Sequence, residues 1–233
     1  MKLTLYVTSV CNLACAQCIM QHQMKADFKY QMSMDEVNKF IEVSKLSNYK
    51  FNIVFSGGEP LLWKNLHEGI DTLYNSGICN TMTMFTNGIH YKRLTQETVD
   101  KLNSIRVSHY KDVEGGSDNT QHIREIRRLY PKAVGVDRSA FWINPTSPVE
   151  NYTPVKCMNS ERLLYNYNIY ACPHSASIAA HNGSKVKISN PLEVNFMDGT
   201  GIIRRQQEAE ICSMCISNNT IRVQTPKVFN KNK

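Results

Sequence analysis

The sequence lacks an apolar run of about eighteen residues, the length from which a membrane-spanning helix is inferred. Its first residues, Met1 to Val7, hold one lysine and no cleavage region, so they do not resemble a signal peptide. The net charge is +7, which indicates a mildly basic surface. A basic cleft for an anionic or nucleic-acid substrate is the alternative, but only Arg124, Arg127 and Arg128 on one predicted helix and the Lys-rich tail after Thr225 approach a dense basic run. We therefore expect a cytoplasmic protein that binds neither a membrane nor nucleic acid.

Internal repeats and low-complexity segments are also missing. The 233 residues, 42% of them hydrophobic and 20% charged, suit one ordinary domain with a small appendage. Eight cysteines are many for such a chain. Because a reducing compartment disfavours disulfides, the cysteines indicate metal binding.

The first half of the chain alternates strand and helix patterns. Strands are predicted at Leu3–Thr8, Phe51–Phe55, Thr81–Thr86, Ile105–His109 and Lys132–Val136. Helices are predicted to start near Ser33, Asn65, Thr95 and Asn119; the first has a Ser33–Glu36 capping box, and the second places Leu66, Ile70, Leu73 and Tyr74 inward. Such alternation is typical of a parallel sheet. We expect an α/β fold: an open, partial (β/α) barrel of about five parallel strands and four helices.

The pattern changes after about Ser139, and residues 144–148 read as a linker. We expect three parts: the partial barrel at residues 1–143, a Cys-rich unit at 144–225, and a basic, flexible tail at 226–233. The second part should contain a β-hairpin, with strands at Arg162–Tyr165 and Ile169–Cys172, and a helix near Ile202–Glu210.

Three cysteines, Cys11, Cys15 and Cys18, follow the first strand at once. Three thiolates in a tight loop suit a metal group that keeps one coordination position open, whereas structural zinc takes four ligands. A [4Fe–4S] cluster with one open iron fits this spacing, and a zinc site with a remote fourth ligand is the alternative.

Two further motifs end the next two strands. Gly57-Gly58-Glu59-Pro60 closes the second strand, and Thr86-Asn87-Gly88 closes the third. Glycines let backbone approach a ligand, and Glu59 offers a carboxylate to a cationic amine. In open α/β sheets, ligands bind at the edge where these strands end.

In this order and on these elements, the CxxxCxxC, GGEP and TNG motifs resemble the radical S-adenosylmethionine (SAM) superfamily over roughly residues 3–137. The resemblance implies that Cys11, Cys15 and Cys18 ligate a [4Fe–4S] cluster whose open iron binds SAM. Further implied SAM contacts are Gly57, Gly58 and Glu59 for the methionine amino group, Thr86, Asn87 and Ser108 for the ribose, and Gln17 for the adenine. Gln17 departs from the family, where an aromatic residue usually precedes the third cysteine.

Four later cysteines, Cys157, Cys172, Cys212 and Cys215, resemble the "twitch" form of the SPASM extension, which holds an auxiliary [4Fe–4S] cluster. In length and strand count the chain is similar to the 2-deoxy-scyllo-inosamine dehydrogenases of this superfamily. Zinc held by these four cysteines is the alternative reading.

The resemblance implies a reaction: reductive cleavage of SAM to a 5′-deoxyadenosyl radical, removal of a substrate hydrogen atom, and oxidation of the substrate with the auxiliary cluster as electron acceptor. A flavodoxin or ferredoxin would supply electrons, and the substrate would be a small molecule or a peptide. His109, Asp137 and Arg138 end strands at the active edge and are candidates for substrate contact or proton transfer. A plain Asp137–Arg138 salt bridge is the alternative.

Two other functions stay open. The first is maturation of a ribosomal peptide; because the predicted barrel begins at Leu3, no leader-binding domain is expected before it. The second is a non-enzymatic iron–sulfur or zinc-binding module. The remaining thiol, Cys79, precedes the third strand, about 23 Å from its active end at about 3.3 Å per residue. We expect Cys79 to be a buried core residue.

Overall fold

The computed structural model describes residues 1–15, 18, 29–110, 116–137, 162–170, 176 and 189–192. Its strands are β1 (Lys2–Thr8), β2 (Phe51–Gly57), β3 (Cys79–Thr86), β4 (Ser104–His109), β5 (Ala133–Asp137), β6 (Arg162–Tyr165), β7 (Asn168–Tyr170) and β8 (Ser189–Pro191). Its α-helices are α1 (Met34–Leu46), α2 (Leu66–Asn75), α3 (Gln96–Lys101) and α4 (Thr120–Leu129), with short 3-10 helices at Pro60–Leu62 and Tyr91–Arg93. In these described ranges, no helix has the length and apolar character needed to cross a membrane.

All eight strands form one sheet in the order β5-β4-β3-β2-β1-β6-β7-β8. Neighbours from β5 through β1 to β6 are parallel, and β7 and β8 are antiparallel additions. The α/β architecture is confirmed, and the described residues contain the five predicted parallel strands, the four predicted helices and a sixth parallel strand, β6. Because the carboxyl ends of parallel strands share an edge, the three sequence motifs meet at one edge of this sheet.

The predicted hairpin is present as β6 and β7, but it does not form a separate sheet. Leu3, Thr4 and Leu5 of β1 pair in parallel with Arg162, Leu163 and Leu164 of β6. A strand pattern reveals a strand but not its neighbour, so the sequence could not show this sixth parallel strand. The proposed boundary at 143 and 144, the helix near 202–210 and the basic tail lie outside the described residues.

Alternation along the strands gives the sheet two different faces. Odd-numbered β1 residues such as Leu3, Leu5 and Val7 join a large core beneath the helices. On the opposite face, Tyr6 forms a small cluster with Leu163 and Ala176, against which partly buried Cys18, Tyr30, Tyr165 and Tyr170 pack. We call this second group the tyrosine cluster.

Helix α2 corrects one detail of the sequence analysis. Leu66, Ile70 and Leu73 are buried as expected, but Tyr74 is 53% exposed. The buried stripe runs through Gly69, where a Cβ atom would lie 2.0 Å from the Trp63 ring. This close approach of α2 to Trp63 centres the buried face on Gly69 and Ile70, and Tyr74 falls outside it.

Candidate active site

The cysteine-bearing segment leaves the sheet at Ser9 and returns at Tyr30. The Ser9 backbone N–H donates to the Tyr30 carbonyl at 3.0 Å, and the Tyr30 N–H donates to Ser9 Oγ at 2.8 Å. The Thr8 hydroxyl also donates to the Tyr30 carbonyl, at 3.1 Å. These bonds close the segment at its base, so its three cysteines stay at the carboxyl edge of the sheet.

Gly57 and Gly58 allow that segment to approach β2. The Gly58 N–H donates to the Thr8 carbonyl at 2.6 Å, and the Glu59 N–H donates to the Val10 carbonyl at 2.8 Å. A Cβ atom on Gly58 would lie 2.4 Å from the Val10 carbonyl oxygen, and Gly57 adopts a φ of 138°. The two glycines, predicted to let backbone approach a ligand, also admit the backbone of the cysteine segment.

Glu59 is buried, with 1% of its surface exposed, and its carboxylate has three donors. Oε1 accepts from the Leu61 N–H at 2.9 Å and the Thr86 hydroxyl at 2.6 Å, and Oε2 accepts from the Asn87 N–H at 2.7 Å. Burial raises the pKa of Glu59 to about 6, against the opposing effect of these hydrogen bonds. Since each oxygen can accept two hydrogen bonds, Oε2 keeps one position for a further donor.

Asn119 joins the ends of β3 and β4 to the start of α4. Its amide nitrogen donates to the carbonyls of Asn87 and Ser108 at 2.6 and 2.7 Å, and its Oδ1 accepts from the Tyr110 N–H at 3.2 Å. The side chain is fully buried. Sequence reasoning recognised Asn119 only as a helix start, but its side chain makes no capping bond and reaches the sheet instead.

Asn87 connects β3 to the cysteine segment. Its amide nitrogen donates to Asn12 Oδ1 at 2.8 Å, and its Oδ1 accepts from the Ile89 N–H at 3.0 Å. The Thr86 hydroxyl, which donates to Glu59, accepts from the Gly88 N–H at 2.9 Å. The TNG turn is therefore fixed by its own side chains before any ligand binds.

A cavity of about 120 Å³ opens among these groups at the carboxyl edge of the sheet. It is lined by Cys11, Leu13, Cys15, Cys18, Ser56, Gly57, Gly58, Glu59, Phe85, Thr86, Asn87, Ser108 and Tyr110. Nine of these were sequence candidates; Leu13, Ser56, Phe85 and Tyr110 were missed. Ser56 and Tyr110 stand directly beside recognised motif or strand-end residues, which is the signal that could have found them.

The other sequence candidates lie elsewhere or outside the described residues. His109 does not line the cavity, and its Nε2 is 3.0 Å from Thr120 Oγ1. The backbone of Asp137 pairs with that of His109 at the end of β5. Outside the described residues lie Gln17, Arg138, Cys157, Cys172, Cys212 and Cys215.

The described thiols, Cys11, Cys15, Cys18 and Cys79, form no disulfide with one another. Burial, together with the nearby charges of Glu59 and Cys18, raises the pKa of Cys11 to about 11. Burial, together with the charges of Cys18 and Cys11, raises the pKa of Cys15 to about 12. Among the described residues, no cationic side chain lowers the pKa of either thiol. A bound metal group would have to provide that charge, because metal ligation requires deprotonated sulfur.

The arrangement fits a cluster better than a single ion. In the described ranges, no three His, Cys, Asp or Glu side chains form a group that could hold one metal ion. A zinc ion needs every sulfur within about 2.3 Å of one point. The thiolates of a [4Fe–4S] cluster bind different irons and need no common point. Three cysteines lining one cavity thus suit such a cluster and leave one iron for an exogenous ligand.

The fold and the site define an α/β protein with a thiol-lined cavity at the carboxyl edge of a parallel sheet. A family model described as the radical SAM superfamily matches residues 5–134, more than half of the chain. The chain belongs to this superfamily, whose members bind a [4Fe–4S] cluster and SAM.

Similar proteins differ in reported activity. The chain is 28% identical over 148 residues to the probable GTP 3′,8-cyclase of Methanococcus vannielii, covering 60% of this chain and 47% of that protein. It therefore spans about half the length of such cyclases. It is 24% identical to the S-adenosylmethionine-dependent nucleotide dehydratase of Selenomonas ruminantium, over 89% of this chain and 76% of that protein.

One solved structure resembles nearly the whole chain. The crystal structure of BtrN in complex with AdoMet and 2-DOIA gives a TM-score of 0.64 at 18% identity, covering 96% of this chain and 94% of that chain. At this identity the likeness shows a shared fold.

Proposed function

We propose that this chain cleaves SAM reductively and dehydrogenates a small polar substrate. The observation that carries the proposal is the cavity itself, where the cysteine segment meets the ends of β2, β3 and β4. Superfamily membership supports the SAM chemistry, and the whole-length likeness to BtrN supports the layout. Peptide maturation and a non-enzymatic module lack a comparable observation.

The proposed roles follow from the contacts. Cys11, Cys15 and Cys18 would hold the cluster. The Glu59 Oε2 acceptor position and the backbone of Gly57 and Gly58 would bind the methionine amino group. The Asn87 amide gives one N–H to Asn12 and keeps its second N–H for a ribose hydroxyl.

Other cavity residues shape the space around the reacting atoms. Leu13 and Phe85 present apolar surface and Tyr110 an aromatic ring, and these exclude water from part of the cavity. When bound, the cluster and SAM supply a 5′-deoxyadenosyl radical, which takes one hydrogen atom from the substrate. The protein's share is to hold both molecules in reacting distance.

Dehydrogenation requires that the substrate radical then lose one proton and one electron. We propose that Cys157, Cys172, Cys212 and Cys215 hold an auxiliary [4Fe–4S] cluster that takes the electron, and that flavodoxin or ferredoxin reduces the first cluster. His109 and Asp137, adjacent at the ends of β4 and β5, and the following Arg138 are the candidates for receiving the proton.

Iron counting tests this proposal. Anaerobically reconstituted protein should hold about eight irons per chain, as two clusters of four. Alanine at the four later cysteines should leave about four irons and preserve SAM cleavage but stop release of oxidised product, with circular dichroism showing an unchanged fold. About four irons in the wild-type chain, together with zinc, would contradict the oxidation mechanism.

A nucleotide substrate is the second candidate. The Arg106 guanidinium lies 5.7 Å from the centroid of the Phe85 ring, which lines the cavity, and Arg106 is exposed where it could reach a phosphate. The names of the cyclase and dehydratase relatives support this class.

Substrate-stimulated formation of 5′-deoxyadenosine separates the two classes. If nucleoside triphosphates stimulate it and Arg106→Gln weakens that response, the nucleotide reading holds. Arg127→Gln, an exposed change on α4, serves as the control. Stimulation by aminocyclitols alone, unaffected by Arg106→Gln, favours the first candidate.

A further inference from the structure

The hydroxyl of Tyr6 is buried without a hydrogen-bond partner in the described part of the chain. Tyr6 lies on β1 and is 0% exposed. A buried polar atom that lacks its hydrogen bond costs about 1–3 kcal/mol. Since nearly all buried polar groups in folded proteins are satisfied, this hydroxyl is a donor whose acceptor the described residues do not supply.

The tyrosine cluster fixes the ring of Tyr6. Its centroid lies 6.0 Å from that of Tyr30 in a stacked arrangement and 5.4 Å from that of Tyr165 edge-on. The Tyr30 hydroxyl is already used, since it donates to Glu36 Oε2 at 2.6 Å. The packed ring of Tyr6 keeps its hydroxyl away from solvent, and the Tyr30 hydroxyl is not free to serve as its acceptor.

Of Cys11, Cys15 and Cys18, it is Cys18 that reaches the tyrosine cluster, against which it packs partly buried. Burial raises the pKa of Tyr6 far above its ordinary value, and negative charge on Cys18, then on Tyr165 and Cys11, raises it further.

We propose that the Tyr6 hydroxyl donates a hydrogen bond to the Cys18 sulfur when that sulfur ligates the cluster. A thiolate is an acceptor, and the phenol O–H is a donor with no competing acceptor in the described residues. Hydrogen bonds to cluster sulfurs stabilise the more negative, reduced state and raise the reduction potential. Tyr6 is thus a positioning residue that holds Cys18 and makes the cluster easier to reduce.

This inference rests on the cluster assignment of the proposed function, but not on the substrate or the auxiliary cluster. The test is the midpoint potential of the cluster in Tyr6→Phe, followed by electron paramagnetic resonance of reconstituted holoprotein during a redox titration. The signal component that changes on addition of SAM identifies the cluster of the cysteine segment. Reduction should become about tenfold less favourable, which for one electron is a fall of about 59 mV.

Tyr170→Phe removes a hydroxyl from the same cluster of rings and should leave the potential unchanged. Equal potentials in wild type and Tyr6→Phe would overturn the inference. Absence of iron from reconstituted wild-type protein would instead overturn the cluster assignment.

A second variant guards against poor folding of Tyr6→Phe. The residue 3-fluorotyrosine, introduced at position 6 by codon suppression, keeps the ring and the hydroxyl and is a stronger hydrogen-bond donor. It should raise the midpoint potential, opposite to phenylalanine. An unchanged or lowered potential in this variant would contradict the inference.

Discussion

The Thr86 hydroxyl donates a hydrogen bond of 2.6 Å to Glu59 Oε1, which joins the end of β3 to the end of β2. The same carboxylate accepts from the Asn87 N–H, and the Glu59 N–H donates to the Val10 carbonyl of the cysteine segment. One buried glutamate thus ties together the three sequence motifs. The site's geometry is set by protein–protein hydrogen bonds, which is how a preorganised cofactor site is built.

The first prediction concerns Glu59 and pH. Its folded-state pKa of about 6 exceeds the ordinary 4.5, so its contribution to stability is present below pH 4.5 and is lost as pH rises through 6. The glutamine of Glu59→Gln does not titrate. Its NH2 group is a hydrogen-bond donor, so it faces at least one of the three donors that the carboxylate accepts from, and that hydrogen bond is lost. The variant should be less stable than wild type, and this deficit should shrink by about 1 kcal/mol between pH 5 and pH 7.5.

Urea denaturation at the two pH values measures this difference in the free energy of unfolding. A deficit that grows with pH would mean that the folded state prefers the ionised carboxylate. Thr98→Ala is a control, because its hydroxyl is bonded to Thr95 and His67, away from the cavity. The loss of unfolding free energy in Thr98→Ala should be the same at pH 5 and pH 7.5.

Gly58 yields the second prediction. In Gly58→Ala the new methyl group would meet backbone oxygens of Val10 and Ser9 at 2.4 and 2.8 Å, which cannot move without displacing the cysteine segment. The variant should bind at least about four fewer irons per chain than wild type after reconstitution.

Gly77→Ala is the control, since φ is 75° there but no atom lies within 4 Å of the added Cβ. It should lose about 1–2 kcal/mol of stability and keep its iron. Normal iron content in Gly58→Ala would show that the cysteine segment does not need this approach.

Asn119 yields the third prediction. Asn119→Ala leaves the carbonyls of Asn87 and Ser108 and the Tyr110 N–H without this partner, and should cost about 1–3 kcal/mol for each group left unsatisfied. SAM should bind more weakly, because Asn87, Ser108 and Tyr110 line the cavity, while the iron content stays unchanged.

Asn103 provides a matched control, because it lies directly before β4, at the end of the β3–β4 pair that is away from the cavity. Its Oδ1 accepts from the Met82 N–H at 2.7 Å, far along β3 from the cavity. Asn103→Ala should lower stability without changing SAM affinity, as measured by equilibrium dialysis. Equal losses of SAM affinity in the two variants would show that Asn119 acts only through global stability.

Sequence patterns predicted the sheet, its helices and the cavity because each rests on local signals. Strand alternation, the two glycines at the end of β2 and the tight cysteine spacing are all contained in short windows. The Ser33–Glu36 pattern likewise predicted the start of α1, where the Glu36 N–H donates to Ser33 Oγ at 3.1 Å.

The parts that the sequence did not reveal depend on distant partners. The Glu36 carboxylate does not complete the capping box; it accepts from the Tyr30 hydroxyl at 2.6 Å and from the Tyr167 N–H at 3.1 Å. Tyr167 lies 131 residues away, in the turn between β6 and β7. Because β6 also pairs with a strand far away in the sequence, β1, neither contact leaves a periodic trace in the sequence.

Cys79 supplies the fourth prediction. It begins β3, at the edge away from the cavity, and its thiol donates to the Leu73 carbonyl at 3.5 Å. Burial raises the pKa of Cys79 to about 11. Cys79→Ser should therefore keep the rate of 5′-deoxyadenosine formation and of product release. Loss of turnover in a folded Cys79→Ser protein would mean that this thiol returns a hydrogen atom to the substrate.

The central claim is that the cavity formed by Cys11, Cys15, Cys18 and the ends of β2 and β3 binds the cluster that cleaves SAM. The most direct measurement is 5′-deoxyadenosine formation by reconstituted protein with dithionite, in wild type and in a variant with alanine at all three cysteines. The account predicts formation by wild type and none by the variant, which should also lack about four irons. Formation of 5′-deoxyadenosine by the triple variant would contradict it.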